Sequence, residues 1–245
     1  MSFDRGRTSV LRGKVALITG ATRGIGLALA RLLAAEGCHL VISGRSVSTL
    51  NKLAKDFSRQ GIDLLAVPCD VRDPASVQAL CIAIEGKFHR LDILVNNAGI
   101  GHANLPVSKL PFAAWMDVIA TNLNGMFLVT HFAWPLMKRG GAIVNNLSIA
   151  AKRVFPGSSA YNASKHGALG FTNTLREELR PEGIRVIALL PGATDTDIWQ
   201  TLWPKAPRGK MMSPASLASA VVNALTQPAE STVEELVIMP ASGTL

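Results

Sequence analysis

A chain of 245 residues, 48% of them apolar and 17% charged, can bury a large core as one α/β domain without disulfide staples. Its three cysteines, Cys38, Cys69 and Cys81, are odd in number and sit in periodic apolar segments, which argues against a bridge framework or a metal cluster and for buried thiols in a reducing, cytoplasmic setting. The formal net charge of +8 is scattered, with no Lys/Arg block and no basic–aromatic motif, so nucleic acid is not expected as a partner; nor is a membrane, because no apolar run approaches the roughly 18 residues that span a bilayer.

In chain order, residues 1–12 carry Arg5, Arg7 and Arg12 with no hydrophobic stretch behind them, and read as a flexible tail. An apolar strand, Val15–Ile18, runs into Thr19-Gly20, and a helical pattern from Gly24 to Glu36 stops at Gly37. His39–Ser43 is a second strand, residues 46–60 a helix ended by Gly61, and Leu64–Val67 a third strand. Pro74 opens a helix and Leu91–Val95 is a fourth strand. A long helix is expected from Phe112 to Lys138, with Gly140-Gly141 breaking the chain before a fifth strand at Ala142–Leu147. A helix at Ala160–Arg180, a strand at Ile184–Leu190, a helix at Pro214–Thr226 and a strand at Val233–Met239 complete the pattern. Strands alternating with long helices require crossover connections. The expected fold is a single α/β domain over 13–245, a Rossmann-type doubly wound parallel sheet of about seven strands. Such sheets bind ligands at the carboxyl ends of their strands.

The turn after the first strand reads Thr19-Gly20-Ala21-Thr22-Arg23-Gly24-Ile25-Gly26. Glycines there let the backbone approach a pyrophosphate, and the helix N-terminus offers free N–H groups to it. At the end of the second strand an acidic residue would bind a ribose 2′-hydroxyl. The chain has Ser43-Gly44-Arg45-Ser46 instead, and Arg45, helped by Arg23, suits a 2′-phosphate, so NADP(H) is favoured over NAD.

The one tyrosine, Tyr161, precedes Lys165 by one helical turn, so both side chains share a face. A nearby ammonium lowers a phenol's pKa, and the phenol then exchanges a proton with a forming alkoxide. Ser148 ends the fifth strand, Asn96-Asn97-Ala98-Gly99 ends the fourth, Pro191-Gly192 ends the sixth, and Asn122 is a polar residue in an apolar helix.

In order and spacing these segments resemble the short-chain dehydrogenase/reductase family over nearly the whole chain. Thr19 to Gly26 is similar to the family's Thr-Gly-x-x-x-Gly-x-Gly, Asn96 to Gly99 to its Asn-Asn-Ala-Gly, and Tyr161-x-x-x-Lys165, thirteen residues after Ser148, to its active-site signature. Pro191-Gly192-Ala193-Thr194-Asp195-Thr196 resembles its motif after the sixth strand. The resemblance implies reversible hydride transfer between NADP(H) and a carbonyl or alcohol carbon of a small molecule. It makes Tyr161 the general acid/base, Lys165 the group that tunes it and bonds the nicotinamide ribose, Ser148 the group that orients the carbonyl, and Asn122 the holder of a water behind Lys165. It places Asp70, beside Val71, on the adenine, lines the cofactor channel with Asn97, Ala98 and Gly99, and sets Thr196 on the carboxamide with Pro191, Gly192 and Thr194 nearby. It further implies a homodimer or homotetramer built on the long helices.

A substrate lid is expected over 195–213. Trp199, Trp203, Met211 and Met212 there imply an apolar, adaptable cover, while Lys205, Arg208 and Lys210 imply tolerance of an acidic or phosphorylated substrate. His102, Arg153 and Phe155 are further candidate pocket residues. A 3-oxoacyl-[acyl-carrier-protein] reductase is the alternative within the family, set back by the absence of a glycine pair soon after the last strand. A cofactor-binding regulator without turnover is the alternative outside it.

Overall fold

The computed structural model describes residues 9–243. Seven strands form one parallel sheet: β1 (Val15–Ile18), β2 (His39–Gly44), β3 (Leu64–Pro68), β4 (Leu91–Asn96), β5 (Met137–Asn146), β6 (Arg185–Pro191) and β7 (Glu235–Ile238). Their order is β3-β2-β1-β4-β5-β6-β7, so the winding reverses between β1 and β4. At such a switch point the two flanking turns diverge and leave a crevice at the strand ends.

Each strand feeds both faces, because successive side chains point to opposite sides. Ala16 and Ile18 of β1 pack, with Ile42, Val95 and Leu189, against α1 (Gly24–Ala35) and α8 (Pro214–Leu225). Val15 and Leu17 pack, with Val41, Leu94 and Ile143, against α3 (Pro74–Phe88), α5 (Gly125–Ala133) and α6 (Ser159–Leu179). Ser46 caps α2 (Val47–Arg59) by accepting from Thr49 N, and Asp73 caps α3 by accepting from Ala75 N and Ser76 N. At α1 the N-cap residue Arg23 makes no side-chain cap, so the first-turn amides are left for another acceptor.

The helix expected at Phe112–Lys138 is broken. It runs as α4 (Phe112–Ile119), one π turn at Ala120–Asn124, and α5, and a 3-10 turn then carries Pro135. Proline ends the helical ladder, and the chain is already extended at Met137, opposite Leu91. Gly140-Gly141 therefore does not separate helix from strand; it forms an irregularity inside β5, with Gly140 at φ +83°. The expectation that no stretch is long and apolar enough to span a bilayer is also corrected. Phe112–Leu136 has 25 residues and contains an 18-residue stretch with a mean hydropathy of 1.3, which meets that measure by length and composition. Here it lies across the sheet, against α3 and α6, as a covering helix.

Of the tail expected at 1–12, residues 1–8 lie outside the described residues. Leu11 is buried with the α1 face, and its carbonyl accepts from the Cys38 thiol at 3.3 Å. Cys38, Cys69 and Cys81 are unbridged and buried, and burial pushes the Cys38 and Cys81 thiols up to about 12.

Candidate active site

A cavity of about 590 Å³ follows the carboxyl ends of β1, β2, β4, β5 and β6. Gly20, Thr22, Arg23, Gly24 and Ile25 form one wall. Gly20 has φ +62°, and a Cβ there would lie 2.9 Å from the Ala98 Cα. A Cβ on Gly26 would collide with Asn97 Nδ2 and lie 2.5 Å from the Gly20 carbonyl oxygen. The loop is thus pressed against the end of β4, and Asn97 holds it there. Its Nδ2 donates to Thr19 O at 2.9 Å and Gly20 O at 3.1 Å, while its Oδ1 accepts from Asn146 Nδ2 at 2.8 Å. Thr19 Oγ1 accepts from the Asn97 and Ala98 amides, both at 3.0 Å. Asn97, Ala98 and Gly99 border the cavity as expected from position, but the Asn97 amide is engaged by the loop.

Arg45 extends from the end of β2, exposed at the cavity rim. Arg23, 70% exposed, stands 3.5 Å from Asp197. The Asp70 carboxylate, expected at the adenine, is turned to Arg72: Nη2 donates at 2.6 Å, Nε at 3.0 and 3.1 Å, and the Arg72 backbone amide at 3.0 Å. Arg72 Nη1 reaches Asp117 on α4 at 3.1 Å. The guanidinium holds the Asp70 carboxyl below its usual range. Arg72 borders the cavity and carries no motif signal; its second partner is 45 residues away. Val71 also borders the cavity and packs on α5, where a Cβ at Gly125 would lie 2.7 Å from Val71 Cγ2.

Beyond β5, Ser148 Oγ accepts from Ala150 N at 3.1 Å and is hydrogen-bonded to the Tyr161 phenol. Tyr161 and Lys165 lie one turn apart on α6, with Lys165 Nζ 5.6 Å from the ring centroid. Lys165 is 5% exposed and donates to Asn146 O at 3.0 Å. Burial pulls its pKa down to about 8. Burial raises the Tyr161 phenol, against the lowering expected from a neighbouring ammonium; the Ser148 bond works the other way and is the weaker influence.

Asn122, 1% exposed, sits in the π turn behind the cavity wall. Extra residues in such a turn bulge the backbone and re-aim a side chain. Asn122 Oδ1 accepts from Ile100 N at 2.9 Å, and Nδ2 donates to Ile100 O at 2.9 Å and Ser164 Oγ at 3.1 Å. Ser164 Oγ donates to Tyr161 O at 2.8 Å, which ties the loop after β4 to the helix bearing Tyr161. Asn146 and Ser164 join the site without any sequence signal.

On the remaining side, Pro191, Gly192, Thr194 and Thr196 border the cavity. Thr196 abuts the glycine loop, 3.1 Å from where a Gly24 Cβ would stand. In α7 (Trp199–Leu202), Trp199 Nε1 donates to Thr194 O at 2.9 Å, and Leu202 lies on Gly101, where a Cβ would come within 2.6 Å of Leu202 Cδ2. Phe155 borders the cavity; His102 and Arg153 do not, and His102 is buried with Nδ1 2.8 Å from Ala103 O.

Residues 14–207 match the short chain dehydrogenase family. The chain is 35% identical over 234 residues to an uncharacterised oxidoreductase of Staphylococcus haemolyticus, covering 94% of this chain and 98% of that one. It superimposes on the alcohol dehydrogenase of the archaeon Thermococcus sibiricus, solved with 5-hydroxy-NADP, with a TM-score of 0.87 at 32% identity over 94% of this chain and 97% of that one. A second structure, the 3-ketoacyl-(acyl-carrier-protein) reductase of Brucella melitensis complexed with NADH, gives a TM-score of 0.85 at 34% identity over 94% and 98%. The chain belongs to the short-chain dehydrogenase/reductase family of oxidoreductases.

Proposed function

We propose that the protein is an NADPH-dependent carbonyl reductase, reversible as an alcohol dehydrogenase. The observation that carries this is the Ser148–Tyr161 hydrogen bond with Lys165 beside it, inside a cavity whose other end is rimmed by Arg23 and Arg45. The cavity suits the dinucleotide. A glycine cradle that any Cβ would fill faces the uncapped N-terminus of α1, and no carboxylate stands at the end of β2 to meet a 2′-phosphate. NADP(H), when bound, supplies or accepts the hydride.

The chain's own groups handle the proton and the orientation. Ser148 Oγ and the Tyr161 hydroxyl donate to the substrate carbonyl oxygen, and Tyr161 gives up its proton as the alkoxide forms. The Lys165 ammonium, steered by Asn146 O, stabilises the phenolate left behind. Asn122 Oδ1 keeps one acceptor site free. A Cβ position on Gly99 lies 3.4 Å from that oxygen and 3.8 Å from Lys165 Nζ, room that suits the bridging water of a proton relay. The segment 195–213 covers the substrate. Exposed Phe112, Met116 and Phe127 on α4 and α5 support a homodimer or homotetramer joined through that face, and buried free thiols fit a cytoplasmic setting.

The Brucella neighbour supports a second reading, reduction of 3-oxoacyl groups on a carrier protein. Following NADPH and NADH oxidation against carbonyl panels, carrier-bound thioesters included, separates the two. Binding of NADPH without even a single turnover on any of them favours the non-catalytic regulator. Arg45→Asp is expected to move the NADPH/NADH preference toward NADH by about 10- to 100-fold, the value of one charge-assisted contact. An unchanged ratio of kcat/KM values places the phosphate contact elsewhere.

A further inference from the structure

Resting on the carbonyl-reductase reading, we infer that the substrate is an uncharged ketone or aldehyde carrying a bulky apolar group of aromatic size, and that carboxylate-bearing or phosphorylated carbonyl compounds are rejected. The wall beyond Ser148 and Tyr161 is built from Ile100, Ile149, Phe155, Trp199, Leu202 and Trp203. The Trp199 indole is pinned to Thr194 O and Leu202 is seated on Gly101, so this part of the lid is held between the turn after β6 and the loop after β4. Of the polar side chains that the lid and the loop after β4 place on the cavity, Asn104, Thr196 and Thr201 are neutral and suit a neutral oxygen, while Asp197 is a carboxylate that faces Arg23 and would repel an anion.

The charges are engaged elsewhere. Of the cations that border the cavity among the described residues, Lys165 is committed to Asn146 O, Arg23 faces Asp197, and Arg72 is held by Asp70 and Asp117. Arg45 stands at the end of β2, on the glycine-loop side. The lid cations turn away: Arg208 is paired with Asp195, and Lys205 and Lys210 are exposed and off the cavity wall. Rejection of anions runs against the tolerance of acidic substrates expected from these three residues. An anion entering this wall loses hydration with no uncommitted cation to replace it, whereas an aryl group gains burial against two indoles.

The test uses the full chain with NADPH and three ketones: methyl para-acetylbenzoate, para-acetylbenzoate and butanone. The ester is expected to exceed its free carboxylate in kcat/KM by about 100-fold or more, and butanone by about 10-fold or more. Trp203→Ala, at an exposed position that tolerates truncation, is expected to lower kcat/KM for the ester several times more than for butanone. A carboxylate reduced as well as its ester overturns the inference and leaves carbonyl reduction standing. So does an aryl ester no better than butanone. No turnover of any ketone, with NADPH bound by fluorescence, overturns the carbonyl-reductase reading and this inference with it.

Discussion

Tyr161→Phe is expected to lower kcat by about 10³-fold or more while leaving the Kd for NADPH within about two-fold, since a positioned proton donor is worth 10²–10⁴ in rate. The substitution removes one oxygen and little else. The ring that packs 5.6 Å from Lys165 Nζ remains, and Ser148 Oγ keeps the Ala150 amide. Lys165 keeps Asn146 O and Asn97 keeps the glycine loop, so the cofactor's walls stand. Stopped-flow hydride transfer and fluorescence titration of NADPH separate the two quantities. A kcat within ten-fold of the parent sinks the assigned donor. A matching loss of NADPH affinity shows instead that the phenol serves binding.

Where function rests on local pattern, the residues announce themselves. The strand bounds follow from apolar runs, mostly to within a residue, because a sheet covered on both faces leaves few polar positions in them, such as Asp92 and Asn96 in β4. Glycine spacing marks the loop because the close approach of Ala98 and Asn97 tolerates nothing larger. Tyr161 and Lys165 are visible as a helical pair. The residues that stay hidden depend on a partner far along the chain. Asn146 matters through its carbonyl, which no side-chain pattern reveals, and Arg72 through Asp117 on another element. Pro135 ends a helix that apolar periodicity alone would carry to Lys138, and Gly140-Gly141 reads as a break until the irregular pairing of β5 with β4 is seen. The lid shows the same limit in electrostatic form. Composition counts Lys205, Arg208 and Lys210 as neighbours of the substrate, but only the fold decides which way they point.

Lys165→Met is expected to stabilise the protein and abolish its turnover together. A lysine drawn from 10.5 to about 8 by burial costs the folded state roughly 3 kcal/mol to keep its proton. Methionine escapes that cost but forfeits the charge-assisted bond to Asn146 O, about 2 kcal/mol, for a net gain of about 1 kcal/mol. In a chain this size that raises Tm by about 3 °C near neutral pH, read at fixed protein concentration and without added cofactor. The sign fixes the pH window. The folded pKa is depressed, so the penalty is fully present below about 8 and fades as pH rises toward 10.5, where the unfolded chain also releases its proton. The Tm difference between parent and variant should therefore shrink across that interval. In the parent, reductive kcat should fall as pH rises through about 8, because the ammonium that steadies the phenolate is then lost. A variant less stable than the parent at neutral pH, or a stability gap indifferent to alkaline pH, would mean that Asn146 and the surrounding packing, rather than the buried charge, govern Lys165. A gain in Tm with turnover retained would remove Lys165 from the proton-transfer machinery. A sturdier and inert protein is the expected result, because this site holds a desolvated cation for chemistry to the detriment of the fold.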